Sequence, residues 1–304
     1  MYKSSAASDV YKRQVDGLLG IGLQRGLDDS WQQMIDAINR HPGPRVAIDI
    51  PSGLNGFTGM PQPVAVAADL TVTFIGTKTG QFIADGPDYC GELVFEDLGV
   101  SASTRAGVPA TLPVLDSCVL SPPRRKNSHK NHYGHVLVVG GDQGMSGAVS
   151  LAAHAALRSG AGLVTALVHP DCRHHLGAVA EVMVLDWSSL EKKLEQASVV
   201  VVGPGLGDGD AARECLQILH ACQLPMVVDA SALQRGFLDD RNNANTVITP
   251  HPGEAAGLLD SSTAAVQADR LSACRELVDR FGAACVLKGS GTLIGQDTRI
   301  AVNL

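Results

Sequence analysis

The chain has 304 residues, 45% hydrophobic and 18% charged, which supports a substantial core and excludes wholesale disorder. Its 33 glycines and 15 prolines follow no fixed period, which excludes collagen-like sequence. A formal charge of −7 and an aromatic content of 4% disfavour nucleic acid and anionic membrane surfaces as partners, and the apolar runs are strand-sized rather than membrane-spanning.

Residues Met1 to Gln14 carry neither helical nor strand periodicity and lack the layout of a secretory signal, so they are unassigned and read as foreign sequence. Patterned sequence starts at Val15-Asp16-Gly17-Leu18-Leu19-Gly20. Apolar, strand-like runs ending in Gly, Pro or Asp then recur. They are Arg45 to Ile50 before Pro51-Ser52-Gly53, Leu70 to Ile75 before Gly76, and Val136 to Val139 before Gly140-Gly141. Further copies are Val199 to Val202 before Gly203-Pro204-Gly205, Met226 to Asp229, Val247 to Pro250, and Cys285 to Gly289. Helix-like stretches lie between them at Ala148 to Ser159, Ala211 to Cys222 and Ala265 to Phe281. β-Branched runs separated by helices predict an α/β fold whose parallel sheet is covered on both faces.

The rhythm breaks between Gly99 and Tyr133, where Pro109, Pro113, Pro122 and Pro123 precede the cluster Arg124-Arg125-Lys126. We therefore divide the chain into a first unit at 15–108, a solvated linker at 109–133 and a second unit at 134–304. Thr298 to Leu304 alternates like a strand and stops without a turn, so both ends read as cuts through structure and the chain as a fragment. Seven scattered cysteines form no C-x-x-C pair, which fits buried thiols in a reducing cytoplasm better than disulfides or a zinc site.

Ligands of parallel α/β sheets bind beyond the carboxyl ends of the strands, so glycines there carry the most information. Gly140 to Gly147 joins a strand to a helix start whose backbone amides can hold an anion. Gly203-Pro204-Gly205-Leu206-Gly207 lacks dinucleotide-fingerprint spacing, and Lys288-Gly289-Ser290-Gly291-Thr292 has its lysine ahead of the glycines, unlike a Walker A loop. Their recurrence at successive strand ends suits phosphates and a nucleotide. Thr249-Pro250-His251-Pro252-Gly253-Glu254 places His and Glu on a proline-fixed loop, with Glu254 able to begin a helix. In the first unit, Asp16, Asp49 and Ser52 lie at the ends of apolar runs. They either present oxygens to a monovalent cation or a ribose hydroxyl, or cap neighbouring loops.

Two sets of motifs resemble known families. Val46 to Asn55, Thr73-Phe74-Ile75-Gly76 and Cys90-Gly91-Glu92-Leu93 resemble the later half of the NAD(P)H-hydrate epimerase domain. Ser128-His129-Lys130, Gly140-Gly141-Asp142, Gly160 to Val164, Gly203 to Gly207, Thr249 to Glu254 and Lys288 to Thr292 resemble the ADP-dependent NAD(P)H-hydrate dehydratase domain. Their order is similar to that in bacterial bifunctional nicotinamide nucleotide repair enzymes.

The resemblance implies a partial Rossmann-like epimerase unit followed by a partial ribokinase-like dehydratase unit. Its substrate would be NADH or NADPH that has gained water across a ring double bond. The first unit would interconvert the R and S hydrates. The second would phosphorylate the S form with ADP or ATP and eliminate phosphate. By motif match, K+ would sit at Asp16 and Ser52, and the hydrate at Gly20, Ile21, Gly22, Leu23, Gln24, Arg25, Gly26 and Asp49. A second hydrate site would use Gly205, His251, Pro252, Gly253, Glu254, Ala255, Ala256 and Gly257, with the nucleotide at Lys288, Gly289, Ser290, Gly291 and Thr292 and Mg2+ in this unit. A homo-oligomer is expected.

The family's Asn-rich glycine loop is expected ahead of Asp16, and its Gly-Gly-x-Gly-Asp loop with the catalytic aspartate beyond Leu304. Residues 1–304 are therefore expected to hold no catalytic aspartate and to be inactive alone. Two rival readings share these motifs: a ribokinase-like small-molecule kinase, and a non-catalytic protein that binds nucleotides or partners.

Overall fold

A computed structural model describes residues 13–23, 25–108, 112–115, 123–176 and 180–304. Gln24, most of the foreign-looking leader and much of the expected linker lie outside the described residues. The chain divides into two units, Met1–Val114 with Gly289–Thr292 and Leu304, and Leu115–Lys288 with Leu293–Asn303.

The first unit is built on a four-stranded sheet in the order β1 (Gln14–Asp16), β2 (Arg45–Ile48), β3 (Leu70–Phe74) and β4 (Glu92–Glu96). All three pairings are parallel, with Asp16 opposite Ala47, Ala47 opposite Thr71 and Val72 opposite Val94. The helix Asp29–Arg40 forms between β1 and β2 because Asp28 caps it, its carboxylate accepting from the Ser30 and Trp31 amides. Ile35 points into a cluster with Leu27 and Val66, against which Leu23 and Trp31 pack.

The second unit carries a nine-stranded sheet. Its strands in chain order are β5 (His135–Val139), β6 (Leu163–Val168), β7 (Val182–Asp186), β8 (Val199–Val202), β9 (Met226–Val228), β10 (Thr246–Ile248), β11 (Ala284–Leu287), β12 (Thr292–Gln296) and β13 (Arg299–Asn303). Their spatial order is β13-β12-β11-β10-β9-β8-β5-β6-β7. From β11 across to β7 every pairing is parallel, whereas β12 returns antiparallel to β11 as a hairpin. The chain therefore runs outward from β5 through β6 to β7, then resumes on the other side of β5 with β8. This reversal puts a topological switch between β5 and β8, the place where open α/β sheets bind ligands.

Periodicity explains the flanking helices. In Asp210–His220 the buried residues are Ala212, Cys215, Leu216 and Leu219, one stripe at helical spacing. Fully burying a leucine such as Leu219 stabilises the packing by about 2 kcal/mol. The continuous helix expected over 265–281 is instead two, Thr263–Ala268 and Arg270–Phe281. Asp269, at φ −146° and ψ 80°, leaves the helical region and caps the second helix through the Ser272 amide. Among the described residues no helix is long and apolar enough to cross a membrane.

Candidate functional site

In the second unit the loops after β5, β8, β9, β10 and β11 emerge on one rim of the sheet and are stitched to one another. The Gly141 amide donates to Pro204 O (3.1 Å) and the Asp142 amide to Gly205 O (2.6 Å). A Cβ on Gly140 would stand 2.1 Å from Pro204 O, so only glycine lets the two loops meet. Gly205 has φ +61° and room for no side chain beside Met145. The indole Nε1 of Trp187 donates to Gly140 O (2.9 Å) and Leu167 O (3.1 Å), bracing the β5 loop from the β7 side. Met145, at the start of the helix Ser146–Arg158, supplies no side-chain cap to its amides.

Further along the same rim, Asp229 ends β9 and Lys288 ends β11. Lys288 Nζ donates to Asp229 Oδ1 (2.9 Å) and lies 3.8 Å from Glu254 Oε2. Thr249 Oγ1 also donates to Asp229 Oδ1 (2.7 Å), and the Lys288 amide donates to Pro250 O (2.9 Å). Burial pushes the Asp229 carboxyl up, but the hydrogen bonds from Lys288 and Thr249, with the charge of Lys288, outweigh it and hold the group below its ordinary value. The Lys288 side chain is 42% exposed, so its charge remains available to an anion on the rim.

His251 does more local work than its motif suggests. It is the N-cap of the helix Pro252–Leu258, and its Nδ1 accepts from the Gly253 (2.9 Å) and Glu254 (3.2 Å) amides. Glu254 returns the favour through Oε2, which accepts from the His251 amide (2.7 Å). Ala255 and Ala256 are buried, so their methyl groups face the core, while Pro252, Gly253 and Glu254 remain partly accessible. Lys288 to Thr292 spans the turn between β11 and β12, with Gly289 at φ 147° and Gly291 at φ 62°.

In the first unit, Asp16 and Ser52 form one buried cluster, 2% and 0% exposed. The Ser52 amide donates to Asp16 Oδ2 (2.7 Å), the Ser52 hydroxyl to Asp16 Oδ1 (2.6 Å), and the Leu19 amide to Ser52 Oγ (2.8 Å). No ion pair reaches Asp16 among the described residues. A buried carboxylate surrounded by a hydroxyl and backbone groups, without a cationic partner, is an oxygen-donor setting that fits K+. Gly20, Ile21, Gly22, Arg25 and Gly26 are exposed between β1 and the first helix, with Leu23 turned inward. Asp49 stands at the end of β2, where Lys78 Nζ pairs with its Oδ1.

The sequence-based expectations did not single out Lys78, Gln81, Trp187 or Asp229 as site residues. Only Asp229 left a signal, an aspartate closing an apolar run as Asp49 does; the others reach the rims through tertiary approach. Among the described residues no group of three or more His, Cys, Asp or Glu could hold a metal ion.

Comparisons with known proteins agree with this layout. Residues 136–302 match the family model described as NAD(P)H-hydrate dehydratase, and residues 3–80 match that of the YjeF-related protein N-terminus. The chain is 43% identical over 286 residues to the bifunctional NAD(P)H-hydrate repair enzyme Nnr of Escherichia coli, covering 92% of this chain and 55% of that protein. It is 41% identical over 295 residues to the enzyme so named from Coxiella burnetii, covering 94% and 60%. The chain thus spans between 55% and 60% of the length of these two relatives.

Among solved structures, a ribokinase-like superfamily protein from Enterococcus faecalis is similar with a TM-score of 0.55 and 28% identity, covering 60% of this chain and 66% of that one. The ADP/ATP-dependent NAD(P)H-hydrate dehydratase of Bacillus subtilis, co-crystallized with ATP/Mg2+, gives 0.54 and 26%, covering 60% and 68%. With a family model matched across more than half its length, this chain belongs to the NAD(P)H-hydrate dehydratase family.

Proposed function

We propose that this chain works in nicotinamide nucleotide repair, with the second unit binding ADP or ATP and the S hydrate of NADH or NADPH and the first unit binding the hydrate for R/S epimerisation. The observation that carries this reading is the stitched rim at the β5–β8 switch, continuous through Asp229 to Lys288. Its amides and the Lys288 ammonium supply positive potential for a diphosphate without a P-loop. Lys288 to Thr292 is the nucleotide segment, and Gly205 with His251 to Gly257 the hydrate segment.

The chemistry is leaving-group activation. The hydroxyl oxygen of the hydrate takes a phosphoryl group from ADP as the P–O bond to the departing AMP breaks, and the hydroxyl proton is released. Phosphate then departs with the C–O electron pair, pushed by the lone pair of the ring nitrogen, and loss of a proton from the neighbouring ring carbon restores the dihydronicotinamide. Mg2+ would accompany the nucleotide, held by its phosphates and one or two carboxylates, of which Asp229 and Glu254 stand nearest Lys288. In the first unit Asp16 and Ser52 would hold K+, and Asp49 with Gly20 to Gly26 would contact the hydrate.

Calorimetric titration tests the reading without requiring turnover. ADP should bind the chain, and Lys288→Met should weaken it by about tenfold or more through loss of a charge-assisted contact. No heat of binding for either ADP or the hydrate would refute it. Accumulation of a phosphorylated product without free phosphate would point instead to a small-molecule kinase.

A further inference from the structure

In the second unit the rim continues past the residues that the proposed function uses. The His169 amide, just after β6, donates to Gly141 O (3.1 Å), and Trp187, just after β7, donates from Nε1 to Gly140 O (2.9 Å). Both residues are thereby tied to the β5 loop, and their rings meet edge to face with centroids 5.6 Å apart. They line a cavity of about 650 Å³, within the range of about 300–1,000 Å³ found for small-ligand sites.

Its apolar lining includes Trp187, Leu190 and Ile218. The one N–H of Trp187 is taken up by Gly140 O and Leu167 O, so the indole offers the cavity carbon alone. Its polar lining includes Glu191, on the short helix Leu190–Leu194, and Glu214, one turn ahead of Ile218 on the helix Asp210–His220. Asp186 lines it too, but Arg173 Nη1 lies 3.4 Å from its Oδ2 and offsets its charge. Glu191 and Glu214 are exposed, and among the described residues no lysine or arginine lines the cavity.

Sheet order restricts what can reach this place. The nucleotide segment Lys288 to Thr292 follows β11, and Gly205, placed against the hydrate, follows β8. A dinucleotide whose reacting ring lies at Gly205 therefore has the β5, β6 and β7 side of the rim left for its other half. Three strand spacings separate β8 from β7, about 14 Å at about 4.8 Å each. Two nucleosides joined through a diphosphate cover such a span when extended.

Resting on the reading of the second unit as a hydrate site, we infer that the cavity beside Trp187 takes the adenosine end of the substrate, and that Glu191 and Glu214 favour NADH hydrate over NADPH hydrate. The indole and aliphatic lining receives the purine, and a carboxylate accepts from the ribose hydroxyls. The 2′-phosphate of NADPH hydrate instead brings negative charge to a wall whose carboxylates repel it.

The chain has two tryptophans, so the indole N–H signal of Trp187 is read directly in isotope-labelled residues 1–304 once Trp31→Phe has assigned it. With ADP at saturation, NADH hydrate should move that signal with about tenfold higher affinity than NADPH hydrate. Combining Glu191→Gln and Glu214→Gln should bring the two within about threefold, chiefly by tightening NADPH hydrate. A merely structural effect would move both ligands together. Should the double variant lose its amide dispersion, Glu214→Arg alone carries the comparison and should tighten NADPH hydrate relative to NADH hydrate. Equal affinity of the parent chain for the two hydrates overturns the inference and leaves the site reading standing. So does a Trp187 signal that stays still while the Gly205 and His251 amides shift, or one that ADP moves before any hydrate is added. No shift in the second unit with either hydrate overturns both.

Discussion

Asp229 and Lys288 show how a single ion pair can hold a ligand-binding charge in place. The folded-state value of Asp229 lies below the ordinary 3.8, so the pairing stabilises the fold at neutral pH and that contribution disappears as the pH falls from 3.8 through the lowered value. Carboxyl carbon shifts followed during acid titration should show Asp229 titrating below 3.8, and Lys288→Met should move its midpoint upward. An unchanged midpoint in the variant would mean that Lys288 does not hold the carboxylate. For two thiols burial prevails instead, pushing Cys90 and Cys215 up to about 11. Both should resist a thiol reagent at pH 8 until the chain unfolds, whereas Cys222, half-buried, should be the first of the described cysteines to react.

At the scale of elements, the helix Pro252–Leu258 depends on a capping box in which His251 Nδ1 is the acceptor. His251→Ala should cost about 1 kcal/mol and lower Tm by about 2–4 °C, with His251→Asn retaining most of the stability. Thermal unfolding followed by circular dichroism measures this directly, and an unchanged Tm would show that the cap contributes nothing.

Much of this architecture was legible because β-branched runs such as Val199 to Val202 can hardly be anything but buried parallel strands. Val182–Asp186 was harder, since Met183, Leu185 and Asp186 blur the pattern and, among the described residues, the strand pairs with β6 at the sheet edge. The break at Asp269 was hidden because the apolar periodicity continues on both sides of it. Glycine-rich strand ends announced the rim, but which loops touch depended on strand order. The β5–β8 switch brings Gly140 against Pro204 although 64 residues of sequence separate them. Lys78 reaches Asp49, and Trp187 reaches Gly140, across the fold, so local pattern carried no trace of either contact.

At the scale of whole units, the sheet of the first unit presents an apolar stripe. Ile48, Val72 and Val94 pair in register across β2, β3 and β4, and Ile48 and Val94 are 46% and 40% exposed. Val15 on β1 is 67% exposed. Parallel sheets are ordinarily covered on both faces, so this stripe should bind an apolar dye. Fluorescence of 8-anilinonaphthalene-1-sulfonate should rise on adding native protein and fall when Ile48→Glu and Val94→Glu are combined. No enhancement with the parent chain would show the stripe to be covered in solution.

Amide chemical-shift mapping during an ADP titration puts the proposed rim at risk in a single experiment. Shifts are predicted to concentrate at Gly140 to Gly147, Gly203 to Gly207 and Lys288 to Thr292, all beyond carboxyl ends of the second sheet's strands. Shifts clustered instead around Gly134, Leu163 and Ser198 at the opposite ends of those strands, or no shifts at saturating ADP, would contradict nucleotide binding at the β5–β8 switch.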